Sequence, residues 1–155
     1  MQVQLSQKER LLLEDQKNQE EICVVKYQNY SQQAQDVQLK QLFSTLSMEE
    51  RHHYDMINQM LQGQQPNMSH GQQTQPQGGT QSSPYQGAMA NTSDKILCSD
   101  LLATEKYVSG AYDTGIFEAI NPTVRQALQH IQQDEQRHGE QLFNYMNIHG
   151  MYNVQ

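Results

Sequence analysis

Asp134-Glu135-Gln136-Arg137-His138 carries a Glu-x-x-His pair, and the hydrophobic spacing around it predicts the last long helix of the chain. The same pair stands 85 residues upstream at Glu50-Arg51-His52-His53, where Glu49 and His52 share the spacing but lie off the apolar line. Sliding the chain by 85 without a gap also lays Glu20 on Glu105 and Tyr27 on Tyr112. Leu12, Asp15, Ala34 and Gln41 fall on Leu97, Asp100, Ala119 and Gln126 in the same register. Each half therefore reads Glu, then Tyr seven residues on, then Glu-x-x-His. The pattern is that of a duplicated helical hairpin.

Working outward, apolar positions at steps of three and four predict four helices. The first spans about Ser6 to Ala34, with Leu12, Leu13, Ile22, Cys23, Val24 and Tyr27 as apolar positions and a Ser6–Glu9 capping box. The second, about Val37 to Gln62, has the stripe Leu39, Leu42, Phe43, Leu46, Glu50, His53, Ile57 and Met60. The third opens at Ser93 or Asp94 and runs to about Ile120, with Ile96 or Leu97, Leu101, Glu105, Val108, Tyr112, Ile116 and Ala119. Gly110 and Gly115 weaken it and read as places of close helix approach. Asn121-Pro122 starts the fourth, which runs to about Ile148 through Val124, Leu128, Ile131, Glu135, His138, Leu142 and Tyr145 or Met146. The fold class is all-α: an antiparallel four-helix bundle of two repeated hairpins, residues 6–62 and 92–149, in one domain spanning 1–155.

The hairpins are joined by a linker, residues 63–91, of different composition. Nine Gln, five Gly and three of the chain's four Pro fall in residues 62–90. Such a segment buries too little apolar surface to offset its ordering entropy, so it reads as a flexible crossover, with His70 solvated. Hydrophobic content is 35%, lowered by this segment. A net charge of −7 without a basic patch excludes a nucleic-acid partner. No apolar run reaches membrane-spanning length. The first residues lack the basic-then-apolar pattern of a signal peptide, so synthesis and retention inside a cell are expected. Cys23 and Cys98 form no Cys-x-x-Cys motif and read as small buried residues. His130 and His149, outside the repeat, read as surface residues.

Glu50, His53, Glu135 and His138 stand where the stripes ask for core residues. A Glu and a His three apart on a helix share a face and can bind one metal, or let the Glu bridge to a second. Two such helices, with Glu20 and Glu105 from the other two, supply four carboxylates and two imidazoles, the ligand set of di-iron and di-manganese bundles. Glu21 falls on Lys106, Glu49 on Asp134 and His52 on Arg137, so none of these preserves a ligand. The metal ligands are thus expected to be Glu20, Glu50, His53, Glu105, Glu135 and His138. The cofactor is two metal ions, iron first, manganese or zinc as alternatives. Tyr27 and Tyr112, two turns after their Glu, read either as hydrogen-bond donors to ligand carboxylates or as aromatic core residues. Asp15 and Asp100 read as surface carboxylates, with a bond to a ligand histidine as the alternative.

The layout resembles the ferritin-like superfamily and, within it, rubrerythrin, where Glu is followed seven residues later by Tyr and then by Glu-x-x-His on the next helix. Rubredoxin-type Cys pairs are missing, so nothing resembles that protein's electron-transfer module. The run Asp94-Lys-Ile-Leu-Cys-Ser-Asp-Leu-Leu, Glu105-Lys-Tyr, Tyr112, Glu118, Asn121-Pro122, Glu135-Gln-Arg-His-Gly-Glu-Gln-Leu-Phe-Asn-Tyr-Met and His149-Gly-Met-Tyr152 is similar to the spore coat F family of endospore-forming Firmicutes. That resemblance covers residues 94–152. It implies a ferritin-like fold, cytoplasmic synthesis, a place in the spore coat, and as partners other coat proteins or a second copy of this chain as a homodimer. Two functions follow as expectations. One is a coat component with a di-metal site and no catalytic residues. The alternative is a di-iron redox enzyme acting on peroxide or oxygen, as the rubrerythrin resemblance implies.

Overall fold

The structure, a computed structural model, describes residues 2–69 and 91–153. Most of the crossover linker, with His70, lies outside them. Among the described residues four helices make up the fold: α1 Gln7–Gln33, α2 Val37–Leu61, α3 Thr92–Glu118 and α4 Pro122–Ile148. Among the described residues there is no strand.

The duplication is visible first in how the helices begin. Ser6 caps α1 in a reciprocal capping box with Glu9, and Asn91, its equivalent 85 residues on, caps α3 by accepting from the Asp94 amide. This cap starts α3 a residue or two before the Ser93 or Asp94 expected from the spacing. Asp36 and Asn121, again 85 apart, cap α2 and α4. Pro122 occupies the first turn of α4, where its missing N–H costs nothing. α2 and α4 both end in a left-handed glycine, Gly63 and Gly150, with φ of 78° and 68°. In each case the next residue's amide reaches back into the last turn: Gln64 to the Gln59 carbonyl, Met151 to that of Met146.

α1 packs along α2 and α3 along α4, as two hairpins. They meet through α1 against α3 and α2 against α4. Lys8 pairs with Glu118 and Tyr30 with Asp100, in opposite chain order, so α1 and α3 are antiparallel. α2 therefore ends at the opposite end of the bundle from the start of α3. Val3 pairs with Gly63 at one end, and Asn91 with Gln35 at the other.

Two carboxylates tie the hairpins together. Glu9, at the third position of α1, accepts from the Ile120 and Asn121 amides in the α3–α4 turn, at 2.8 and 2.6 Å. Asp94, the equivalent position of α3, accepts from Gln35 and Asp36 in the α1–α2 turn, at 2.9 and 3.1 Å. Each satisfies turn amides that no helix supplies with a partner.

The expected stripes face inward with few exceptions. Ile22 is exposed, since it points directly away from the Glu20–Cys23–Tyr27 face of α1, and the choice between Ile96 and Leu97 falls to Leu97. Gly115 is a site of close approach, since a Cβ there would lie 3.2 Å from Leu128 Cδ1. Gly110 is not, because a Cβ there would meet nothing within 4 Å. The core divides into two apolar clusters. One is built around Leu13, Ile57, Met60, Leu128 and Ile131, the other around Phe43, Leu46, Leu101, Leu142 and Met146. Cys23 and Cys98 are buried free thiols, as expected, and burial pushes Cys98 up to about 12. No helix among the described residues is long and apolar enough to cross a membrane.

Candidate metal centre

Between the two apolar clusters all four helices turn an acidic or imidazole side chain inward. Glu20 comes from α1, Glu50 and His53 from α2, Glu105 from α3, Glu135 and His138 from α4, and none is more than 3% exposed. All six residues singled out in the sequence come together. They form two overlapping groups, Glu20–Glu50–His53–Glu135 and Glu50–Glu105–Glu135–His138, in which one donor atom per residue lies within 4.8 Å of the others. Glu50 and Glu135 belong to both.

Both histidines point Nδ1 into the cluster. His53 Nδ1 lies 3.3 Å from Glu50 and 3.1 Å from Glu135. His138 Nδ1 lies 3.1 Å from Glu50 and 3.4 Å from Glu135. The two rings stack 5.6 Å apart, 20° from parallel. Their Nε2 atoms face outward onto acids of the other hairpin: His53 onto Asp134 at 3.0 Å, His138 onto Glu49 at 2.6 Å. Neither acid is among the ligands expected from the repeat. Glu49 and Asp134 are equivalent under the 85-residue shift and differ only as Glu from Asp, so the signal was charge preserved without identity. Asp15 is exposed, and Asp100 bonds Lys26 and Tyr30; neither serves a histidine. His130 is half-buried, 3.6 Å from Asp134, where a surface position was expected. His149 is half-buried too, bonded to the Tyr145 carbonyl.

The tyrosines cross between hairpins in the same way. Tyr27 of α1 donates to Glu105 of α3, and Tyr112 of α3 donates to Glu20 of α1. Each tyrosine thus donates to a carboxylate of the cluster and also buries its ring fully in the core. Burial, then the negative charge of the neighbouring carboxylates, raises both phenols, which keeps them donors.

Burying four carboxylates together is costly unless charge is removed or matched. Burial and the charges of Glu50 and Glu135 push the Glu20 carboxyl well above the usual range, and the same causes raise Glu105. Burial also opposes ionisation of Glu50 and Glu135. For Glu50 the charge of His138 and hydrogen bonds from both histidines outweigh it, and for Glu135 hydrogen bonds from Glu105, His138 and His53 do so. Burial disfavours the imidazolium forms too, but the carboxylates raise His53 to about 9 and His138 well above its ordinary value. In the metal-free protein these shifts favour protons on Glu20, Glu105, His53 and His138 and negative charge on Glu50 and Glu135. Even so, no backbone amide and no side chain from outside the cluster donates to Glu20 Oε2, Glu105 Oε2 or Glu135 Oε2, all of them buried. Carboxylate oxygens left to one another and to two imidazole nitrogens fit hard divalent cations.

Fold and site together define a four-helix bundle with a buried, twofold-repeated carboxylate–histidine belt. Residues 93–155, which comprise the second hairpin and the tail, match the family model described as Coat F domain. The match bears out the spore coat F resemblance of that hairpin and does not extend to the first. No curated protein and no solved structure matches the chain.

Proposed function

We propose that the chain is a spore-coat-associated four-helix bundle that holds two divalent metal ions in its core. Glu50 and Glu135 would bridge the ions, with Glu20 and His53 completing one position and Glu105 and His138 the other. The observation that carries this reading is the pair of overlapping donor groups sharing Glu50 and Glu135. Oxygen donors with one imidazole per ion favour iron, with manganese or zinc as alternatives, over copper(I). Bound, the ions would supply positive charge that replaces buried protons and cross-link all four helices. The Coat F match of the second hairpin supports the location and, with it, coat proteins or a second copy of this chain as partners.

Elemental analysis of the purified protein after anaerobic loading tests the centre, with about two equivalents expected. Fractionation of spores with an antibody to the chain tests the location. Signal in the coat extract is expected, and signal confined to the core would contradict the coat assignment.

A further inference from the structure

The donor cluster is closed on most sides. The two apolar clusters lie above and below it along the bundle axis. On the α1–α3 side stand Tyr27 and Tyr112, no more than 1% exposed, their hydroxyls turned onto Glu105 and Glu20. On the α2–α4 side polar groups continue from the cluster toward solvent. There His138 Nε2 meets Glu49, whose side chain is 31% exposed, and His53 Nε2 meets Asp134, which is buried.

These two routes are unlike. Asp134 carries the guanidinium of Arg137, three residues on along α4. The residue equivalent to Arg137 in the first hairpin is His52. Arg is always cationic and repels an approaching cation, and the first hairpin has no arginine at that position. The Glu49 carboxylate is reachable from water and stands one imidazole away from Glu50, Glu105 and Glu135.

Resting on the metal-centre reading, we propose that Glu49 is the residue through which divalent cations pass from solvent into the bundle, and that Arg137 closes the equivalent route at Asp134. The half formed by Glu50, Glu105, Glu135 and His138 then fills before the half formed by Glu20, Glu50, His53 and Glu135. A half-exposed carboxylate draws a hydrated cation electrostatically, and its rotatable side chain can follow the ion inward as water is shed. His138, which it already touches, is the first buried donor on that path.

Stopped-flow uptake of cobalt(II) by the metal-free full chain tests this, read by the visible absorption of the bound ion. Wild type should load in two phases, the faster one slowing as salt is added. Glu49→Gln keeps a hydrogen-bond acceptor for His138 but removes the charge. It should slow the fast phase by about tenfold or more and flatten its salt dependence, with the final two equivalents retained. Glu49→Asp should load at an intermediate rate. Arg137→Gln should speed the slow phase. Wild-type rates and salt dependence in Glu49→Gln would overturn the proposal and leave the centre standing. Loss of stoichiometry in that variant would also overturn it, by making Glu49 part of the binding site. No uptake by wild type would instead remove the metal-centre reading on which it rests.

Discussion

Metal loading of this centre should release four protons per chain. Burial and the charges of Glu50 and Glu135 raise Glu20 and Glu105, so these carboxyls hold their protons above the usual carboxylate range. His53, raised to about 9, and His138, raised by the charge of Glu50 and by hydrogen bonds, are imidazolium. Glu50 and Glu135 are already ionised. The empty cluster is therefore neutral, with two carboxylates facing two imidazolium rings. All six donors must be deprotonated to bind metal. Two divalent ions bring four positive charges and displace the four protons on Glu20, Glu105, His53 and His138, so the filled cluster is neutral again. With about two protons lost per ion, apparent affinity should climb roughly a hundredfold per pH unit while these groups remain protonated. The assay is an anaerobic titration with cobalt(II) or iron(II) in weak buffer, with base uptake recorded by pH-stat. Release of about four protons at full loading is expected. Full loading with none or one released would refute the protonation scheme and the neutrality argument behind it.

The metal-free protein should lose stability as pH rises. The pKa of His53 is higher folded, at about 9, than unfolded, at 6.5, so its contribution is complete below about 6.5 and vanishes as pH passes 9. That amounts to about 3 kcal/mol, and the raised Glu20 and Glu105 act in the same sense from 4.5 upward; urea unfolding at pH 6 and pH 9.5 checks it, and equal stability would contradict it. Glu9→Ala and Asp94→Ala should each cost about 2–4 kcal/mol, because each strands two turn amides that a carboxylate now satisfies. Burial opposes the charge on Glu9, but hydrogen bonds from Asn121, Ser6 and Ile120 hold its carboxyl below 4.5. Its stabilisation is therefore present above that pH and lost as pH falls through the folded value, a loss that Glu9→Gln should abolish in acid titrations followed by circular dichroism. Gly110→Ala should raise stability by about 1 kcal/mol, because its Cβ meets open space. Gly115→Ala should gain less or lose, since Leu128 must shift; thermal melts of the two variants decide it.

Much of this was legible in the sequence because helices impose a short, regular period. Glu20, Glu50, His53, Glu105, Glu135 and His138 stand on apolar stripes, and a polar residue at a core position is itself a signal. The helix starts were legible for the same local reason, with Ser6 and Asn121 capping as their chemistry requires. What escaped was settled across space. Glu49 and Asp134 serve histidines of the opposite hairpin, and Glu9 and Asp94 hold turns of the opposite hairpin, so no local window contains both partners. All four lie in the 85-residue register, but as conservative replacements that an identity comparison passes over. Ile22 misled for a different reason. An apolar residue on a long amphipathic helix can face water, and only the packing of α1 against α2 and α3 settles which side is covered.

Anomalous diffraction from crystals grown with manganese or iron tests the central claim most directly. Two peaks roughly 3.5–4 Å apart, both flanked by Glu50 and Glu135, one beside His53 and the other beside His138, are the predicted result. An empty core in crystals of the loaded protein, or peaks only at surface carboxylates, would contradict it.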